Sequence, residues 1–126
     1  MLFGDLMHFI EKENGISVSL EACHPFFLQC PELILAPDQY QHHIPFCRAV
    51  KHRDGNRTCS ANKKRSLRIA RYGRCFAGKC PFGIIEYAVP VRFENRTAAV
   101  IYLGGAVRRR LAPAGFLSGR TAPCGR

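Results

Sequence analysis

The sequence predicts a single domain of the α/β (α+β) class, in which helices flank an antiparallel sheet. The chain has 126 residues, which is the size of one domain. Two stretches with helical periodicity, residues 45–54 and 56–72, precede two runs rich in β-branched and aromatic residues, 83–93 and 97–107. A short polar turn separates these two runs, as is typical of a hairpin.

The first elements are predicted to be a helix and a strand. Apolar residues recur at helical spacing near the start, and Asn14-Gly15 provides a stop signal, so we expect a short amphipathic helix. Its apolar residues are Leu2, Phe3, Leu6, Phe9 and Ile10. Residues 16–22 then alternate apolar and polar side chains, which is the pattern of a half-buried strand.

Residues 23–43 are harder to interpret, because Pro25, Pro31 and Pro37 separate their apolar runs. Proline removes a backbone donor and fixes its own φ, so a long helix is excluded here. We predict a short strand over residues 33–36.

Two consecutive helices are predicted next. Pro45 suits the first turn of a helix that ends at Asp54-Gly55. A second helix follows over residues 56–72, with Gly73 as its stop. The shared face of the first helix consists of Phe46, Cys47 and Val50. The inner stripe of the second consists of Cys59, the methylene stem of Lys63, Leu67 and Ala70.

The hairpin that follows contains two features that interrupt regular strand pairing. Pro90 cannot donate to a central ladder, so it marks an edge or a bulge in the first strand. Gly104-Gly105 indicates a close backbone approach or a bulge at the end of the second strand. We therefore expect a domain over residues 1–107 and a basic, poorly ordered tail over residues 108–126.

The charge of the chain is strongly positive and unevenly placed. Nineteen Lys and Arg stand against nine Asp and Glu, which gives a formal net charge of +10. Ten of the cations and one acid, Asp54, lie between Arg48 and Arg74. Such a block favours phosphates or another acidic partner. A solvated helix face is the usual alternative, and no helix-turn-helix, zinc-finger or RNA-reading signature accompanies the block.

Cysteine is abundant, with seven residues in the chain. The sequence contains no apolar run of membrane-spanning length, and its start does not resemble a secretory leader, so we expect a cytoplasmic protein. In a reducing compartment, buried thiols, a metal site or a redox centre are favoured over a disulfide framework.

Several of these residues carry a resemblance to a known family. The pattern comprises Phe46-Cys47, Gly55, Cys59, Cys80 with Gly83, the Ala-Val-Pro-Val run at 88–91, and Gly104-Gly105. In this order it resembles the PocR sensory domain of bacteria and archaea, over roughly the first 107 residues. The chain departs from the family at Pro81, where the family has histidine, and in a longer early loop that contains Cys23 and Cys30.

The resemblance implies a PAS-like fold that encloses a pocket for a small molecule, such as a hydrocarbon derivative or a short diol. Family members are usually joined to AraC-type DNA-binding domains or histidine kinases. No output domain follows residue 107 in this sequence, so we expect the signal to pass to a kinase or an AraC-type regulator in another chain. A homodimer is compatible with the sequence.

The cysteines support three interpretations. Cys47, Cys59 and Cys80 are expected to converge, and with Cys75 they would supply a tetrahedral thiolate site for a zinc ion or an iron–sulfur centre. Other candidates for the fourth ligand are His24, His42, His43 and Cys30. Alternatively the thiols are small buried hydrophobes, or Cys75 and Cys80 form a redox disulfide in a basic setting.

The pocket itself is predicted from aromatic and polar side chains. Tyr87, Arg92 and Tyr102 offer polar ends, and Phe46 and Phe82 offer apolar walls, unless all of them simply pack the core. The histidines at 42, 43 and 52 are interpreted as surface or capping groups. No nucleophile elbow, carboxylate pair or phosphate loop is present. We therefore predict a non-enzymatic, ligand-binding sensory domain; the alternative is a basic nucleic-acid-binding or zinc-stabilised module.

Overall fold

The computed structural model describes residues 2–105 and the backbone of residues 122–123. The rest of the predicted tail, including Cys124, lies outside the described residues. Residues 122–123 form a two-residue strand that pairs with residues 76–77.

Four helices and five strands make up the described structure. The helices are α1 (Phe3–Asn14), α2 (Phe26–Gln29), α3 (Pro45–Val50) and α4 (Asn56–Ala70). The strands are β1 (Ser17–Ala22), β2 (Phe76–Lys79), β3 (Ile85–Phe93), β4 (Arg96–Gly104) and β5 (Ala122–Pro123). They form one antiparallel sheet in the order β1-β4-β3-β2-β5, which confirms the predicted fold class. None of these helices is long and apolar enough to cross a membrane.

Helix α1 buries a narrower face than the apolar spacing suggested. It ends at Gly15, whose φ of 61° is the left-handed conformation that favours glycine. Met7 is buried, with Phe3 and Ile10 packed beside it, whereas Leu2, Leu6 and Phe9 are exposed. Apolar residues that spread around a helix cannot all face the sheet. In α1 the buried face is the one that contains Met7.

The predicted strand over residues 33–36 is wrong. The segment forms 3-10 turns at Pro31–Leu33 and Pro37–Tyr40, each with proline near its start. Buried Gln39 holds the segment against α1: its amide donates to the Gly4 carbonyl at 3.0 Å, and its Oε1 accepts from the Ala36 N–H at 2.9 Å. Proline geometry and one buried amide therefore outweigh the strand preference of the apolar run at residues 33–36.

The β3–β4 hairpin turns at Glu94 and Asn95, whose φ angles of 49° and 62° are typical of a tight two-residue turn. The pairing is regular from Phe93↔Arg96 and then shifts between Val91 and Arg92. The residue left unpaired by the shift is Ala98 of β4, so the bulge lies in the second strand and not, as predicted, in the first. Pro90 pairs with Val100 beyond the last β3 residue that pairs with β2, Ala88, so its missing N–H faces a locally free edge.

The double glycine lies where β4 crosses close to its neighbours, as predicted. A Cβ on Gly104 would lie 2.4 Å from the Ile85 carbonyl oxygen of β3. A Cβ on Gly105 would lie 2.9 Å from Cβ of Ser17 in β1. These distances confirm that the backbone needs glycine at this end of the sheet.

Each face of the sheet has its own apolar core. One face packs on α1 and the residue 26–40 region through Met7, Val18, Leu20, Phe27, Leu35, Ala98 and Ala99. The other face packs on the C-terminal half of α4 through Ala70, Phe76, Ala88, Val100 and Tyr102. The N-terminal half of α4 and all of α3 lie over the remainder of that second face, where a cavity is found.

Candidate functional site

The cavity has a volume of about 160 Å³ and lies between the second face of the sheet and the helices α3 and α4. The sheet contributes Glu86 from β3 and Tyr102 from β4 as its floor. The helices contribute Cys47, Val50, Cys59 and Lys63, and the loop before β3 contributes Cys80 and Phe82. A dry apolar cavity of about 150 Å³ can hold a benzene-sized molecule, so this cavity suits a ligand of about six non-hydrogen atoms.

The corner between α3 and α4 shapes the upper wall. The chain leaves helical geometry at Arg53 and takes a φ of 68° at Asp54. A Cβ on Gly55 would lie 2.4 Å from Cγ1 of Val50, so glycine lets the second helix start directly against the first. This tight corner brings Cys47 and Cys59 to the same cavity, as the sequence predicted.

Two lysines hold the segment that forms the side of the cavity. Lys51 Nζ donates to the His42 carbonyl at 3.1 Å, and Lys63 Nζ donates to the Tyr40 carbonyl at 3.0 Å. Lys63 also lies 2.8 Å from Oε2 of Glu21 in β1. Both ammonium groups are therefore engaged with protein oxygens, and the cavity wall between Tyr40 and His42 is tied to both helices.

Three buried hydroxyl groups have no hydrogen-bond partner among the described residues, and one of them, that of Tyr102, lies on the cavity floor. Tyr102 is 2% exposed, and its hydroxyl has no hydrogen-bond partner among the described residues. Burial is the main cause that raises its pKa above the usual range, and the charge of Glu86 acts in the same direction. The Oγ atoms of Ser17 and Ser19 also lack partners there, and Ser19 pairs with Tyr102 across the sheet. An unsatisfied buried hydroxyl costs about 1–3 kcal/mol, which a ligand could recover.

A carboxylate and an imidazole stand beside the tyrosine. Nε2 of His42 lies 2.8 Å from Oε2 of Glu86, whose side chain is 10% exposed. The contact is not aligned as a good hydrogen bond. The His42 ring also packs edge-on against Tyr102, with ring centroids 5.7 Å apart.

Three thiols line the same cavity. Cys47, Cys59 and Cys80 are free, and burial is the main cause that raises the pKa of the Cys47 and Cys59 thiols, although Lys51 acts in the opposite direction. Cys80 closes the loop before β3, since its N–H donates to the Ile84 carbonyl at 2.8 Å and its Sγ accepts from the Ile84 N–H at 3.3 Å.

These thiols do not form a metal centre with their neighbours. Within the described part of the chain, no three His, Cys, Asp or Glu side chains are grouped so that they could hold a metal ion. The arrangement therefore does not fit the zinc or iron–sulfur site considered from the sequence. Cys75 is disulfide-bonded, whereas Cys80 is a free thiol, so the proposed Cys75–Cys80 disulfide is absent.

Of the five residues proposed to bind ligand, the cavity contains Phe46, Phe82 and Tyr102. Tyr87 and Arg92 are not among its lining residues. Tyr87 pairs with Leu103 and is 43% exposed, because it points to the opposite face of the sheet from Tyr102.

Arg92 lies at the turn end of the hairpin, away from the cavity. Its guanidinium donates to the Arg71 carbonyl at 3.3 Å, to Thr97 Oγ1 at 3.0 Å and to the Asn95 carbonyl at 2.8 Å. These bonds join the hairpin turn to the end of α4, so the role of Arg92 is structural.

Two lining residues were missed from the sequence. Glu86 is the one acid within the apolar run 84–91, and the structure shows that it is buried. A single acid inside an apolar strand could have indicated a functional carboxylate, because acids are seldom buried without a partner. His42 was interpreted as a surface group, yet it lines the cavity. Its neighbour His43 turns the other way and lies 3.0 Å from Oε1 of Glu11 on α1. Adjacent histidines that reach opposite faces of a sheet are not recognisable before the fold is known.

Comparison with known proteins identifies a sensory-domain family. The family model described as the sensory domain found in PocR matches residues 32–118. The matched range contains every residue that lines the cavity. No curated protein and no solved structure matches the chain significantly.

Proposed function

The chain belongs to the family of sensory domains found in PocR, and from this premise we propose that its cavity binds a small polar organic molecule such as a short diol. The observation that carries the proposal is the buried Tyr102 hydroxyl on the cavity floor, which has no hydrogen-bond partner among the described residues. A ligand oxygen would accept from this hydroxyl and recover the cost of its burial.

The remaining lining gives the ligand its orientation. Glu86 is an acceptor for a ligand hydroxyl, and it lies in the same cavity as the Tyr102 donor. The side chains of Phe46, Val50 and Phe82 offer apolar surface for a short carbon chain. One donor, one acceptor and apolar walls suit a molecule with hydroxyl groups on a short carbon chain.

The response is proposed to leave through the helices. Helices α3 and α4 both line the cavity and meet at the corner around Asp54, so an occupied cavity would favour one angle of this corner over another. The free energy available for signalling equals the difference in ligand affinity between the two arrangements. A kinase or an AraC-type regulator would then detect the position of these helices.

The proposal is tested by isothermal titration calorimetry and thermal unfolding with a panel of three- and four-carbon diols. We expect at least one diol to raise the melting temperature of the wild-type chain in a concentration-dependent manner. Tyr102→Phe is expected to weaken its binding about tenfold, since it removes one hydrogen bond to the ligand. The matched control is Tyr87→Phe, which removes a hydroxyl on the opposite face and is expected to leave affinity unchanged.

Alkylation of the cavity thiols provides a second readout. A bound diol is expected to slow the reaction of Cys59 with iodoacetamide, while exposed Cys23 continues to react at its original rate. Mass spectrometry of digested protein separates the two. Binding that Tyr102→Phe leaves unchanged and Tyr87→Phe abolishes would refute the assignment of the cavity.

A further inference from the structure

The outer face of α4 is a strongly basic surface that ligand binding in the cavity does not use. The helix turns its inner stripe to the cavity and the sheet, so that Ser66 and Ala70 are buried. Its exposed cations are Arg57, Lys64, Arg65, Arg68 and Arg71. Arg57 and Lys64 lie seven residues apart, and Lys64, Arg65 and Arg71 each lie three or four residues from Arg68, which places all five along one side of the helix.

No carboxylate neutralises this surface within the described structure. Between residues 2 and 105, Lys and Arg make a single salt bridge with an acid, Lys63 with Glu21, and that pair borders the cavity. Arg65 makes only a 3.4 Å contact with Oδ1 of Asn62. Like charges this close repel each other, so the surface is poised to gain from binding an anion.

An aromatic ring stands at the end of the basic surface. Tyr72 follows the last turn of α4 and is 83% exposed, although its backbone N–H is fixed to the Ile69 carbonyl at 3.3 Å. With Arg65, Arg68 and Arg74, the ring borders a shallow depression whose base is Ile69. A fixed backbone with a fully presented ring offers a flat surface for stacking.

We propose that this surface binds single-stranded nucleic acid, with the arginines contacting phosphates and Tyr72 stacking on an unpaired base. Four of the five exposed helix cations are arginine, whose planar guanidinium can contact a phosphate through two hydrogen bonds. Stacking on a single aromatic ring requires a base that is free of its complement, so a single strand is favoured over a duplex.

The size of the surface agrees with this ligand. Helix α4 has 15 residues, which corresponds to a length of about 22 Å. That length spans about six nucleotides at the ~3.4 Å rise of a stacked strand, within the range of known single-strand sites. An acidic protein would use the arginines without needing the ring, and an anionic membrane would favour several apolar residues where this surface has one aromatic.

The test is fluorescence anisotropy of labelled oligothymidylate, 15 nucleotides long, with the full chain over a series of salt concentrations. Arg68→Ala is expected to lower affinity and to reduce the slope of log K against log salt by about 0.7, the value for one lost phosphate contact to a single strand. Tyr72→Ala is expected to lower affinity at least fivefold, and Tyr72→Phe to retain it within twofold.

The matched control is Lys12→Ala, which removes an exposed helix cation on the other side of the sheet. Residues 108–126 carry five further arginines that could also bind the oligonucleotide. The role of the α4 surface is therefore judged from the differences in affinity between variants and not from the affinity of the wild-type chain. Circular dichroism of each variant verifies that it is folded.

Four results would overturn the proposal. They are no binding at 100 mM salt, equal losses in Arg68→Ala and Lys12→Ala, full competition by polyglutamate or by phosphatidylserine vesicles, and a duplex bound as tightly as the single strand with no effect of Tyr72→Ala. None of these results would affect the response of the cavity to a diol, because the cavity uses the inner face of α4.

Discussion

Replacing Gly104 by alanine tests how closely β4 lies against β3. The added Cβ would stand 2.4 Å from the Ile85 carbonyl oxygen and 2.8 Å from Cα of Glu86, where ordinary contacts begin at 3.4 Å. Both of these atoms belong to backbone, so no side-chain rotation can relieve the overlap. Relief requires the two strands to separate by about 1 Å, which stretches the ladder between them.

The magnitude follows from two contributions. The φ of 151° at Gly104 is a conformation that side chains rarely adopt, and such strain costs of order 1–3 kcal/mol. Overpacking against a rigid strand adds about 1–3 kcal/mol. We therefore expect Gly104→Ala to lower the free energy of unfolding by about 3 kcal/mol, a large part of the ~5–15 kcal/mol typical of a domain.

Gly15→Ala is the matched control for this variant. Gly15 also has a positive φ, 61°, but a Cβ there would meet nothing within 4 Å. The left-handed conformation destabilises the alanine variant by about 1–2 kcal/mol. The lower conformational entropy of its unfolded chain offsets about 0.4–1 kcal/mol of this. The expected net loss is about 1 kcal/mol.

Urea unfolding followed by circular dichroism measures both variants. Because Glu86 lies beside the overlap and on the cavity floor, Gly104→Ala should also weaken diol binding, and Gly15→Ala should not. Equal losses of stability in the two variants would refute the close approach of β4 to β3.

Three further predictions concern a hydroxyl, a turn and a buried amide. The pKa of Tyr102 is raised in the folded chain, so above pH ~10 the unfolded chain releases a proton that the folded chain keeps. Urea unfolding between pH 9 and 11 should therefore show an additional fall in the free energy of unfolding of up to about 1.4 kcal/mol per pH unit. Tyr102→Phe should not show this additional fall. Changing Glu94→Asn together with Asn95→Gly should raise the melting temperature by a few degrees, because both positions have positive φ. Gln39→Ala should lower the free energy of unfolding by about 2 kcal/mol, since it removes the buried side chain that bonds the Gly4 carbonyl and the Ala36 N–H, and Gln39→Glu separates loss of the donor from loss of volume.

The elements that depend on local pattern could be predicted from the sequence. Gly15 and Gly73 mark the ends of α1 and α4 because glycine adopts the left-handed conformation without strain. The hairpin could be predicted from its two apolar runs and its polar turn. The buried stripe of α4 followed from helical periodicity, since Leu67 and Ala70 lie one turn apart.

The β3 side chains that point to the cavity could not be predicted, because one bulge reverses the direction of the side chains beyond it. A regular hairpin that begins at Phe93↔Arg96 would pair Tyr87 with Tyr102 and place both on the cavity floor. The shift after Arg92↔Thr97 leaves Ala98 without a partner, and beyond it Ala88 pairs with Tyr102 while Tyr87 pairs with Leu103. A single extra residue in one strand therefore removes Tyr87 from the cavity and brings in Glu86.

If the cavity binds a small ligand as proposed, its polar groups would supply most of the energy for a response. About six ligand atoms bury too little apolar surface to distinguish strongly between two arrangements of α3 and α4. The Tyr102 hydroxyl, buried without a partner, adds a penalty of about 1–3 kcal/mol to any arrangement that keeps the cavity closed and empty. Under the proposed mechanism, a ligand oxygen would remove that penalty when the helices close over it, so its binding energy would favour the closed arrangement. Discrimination among ligands should accordingly follow the position of their oxygen atoms more closely than the length of their carbon chain.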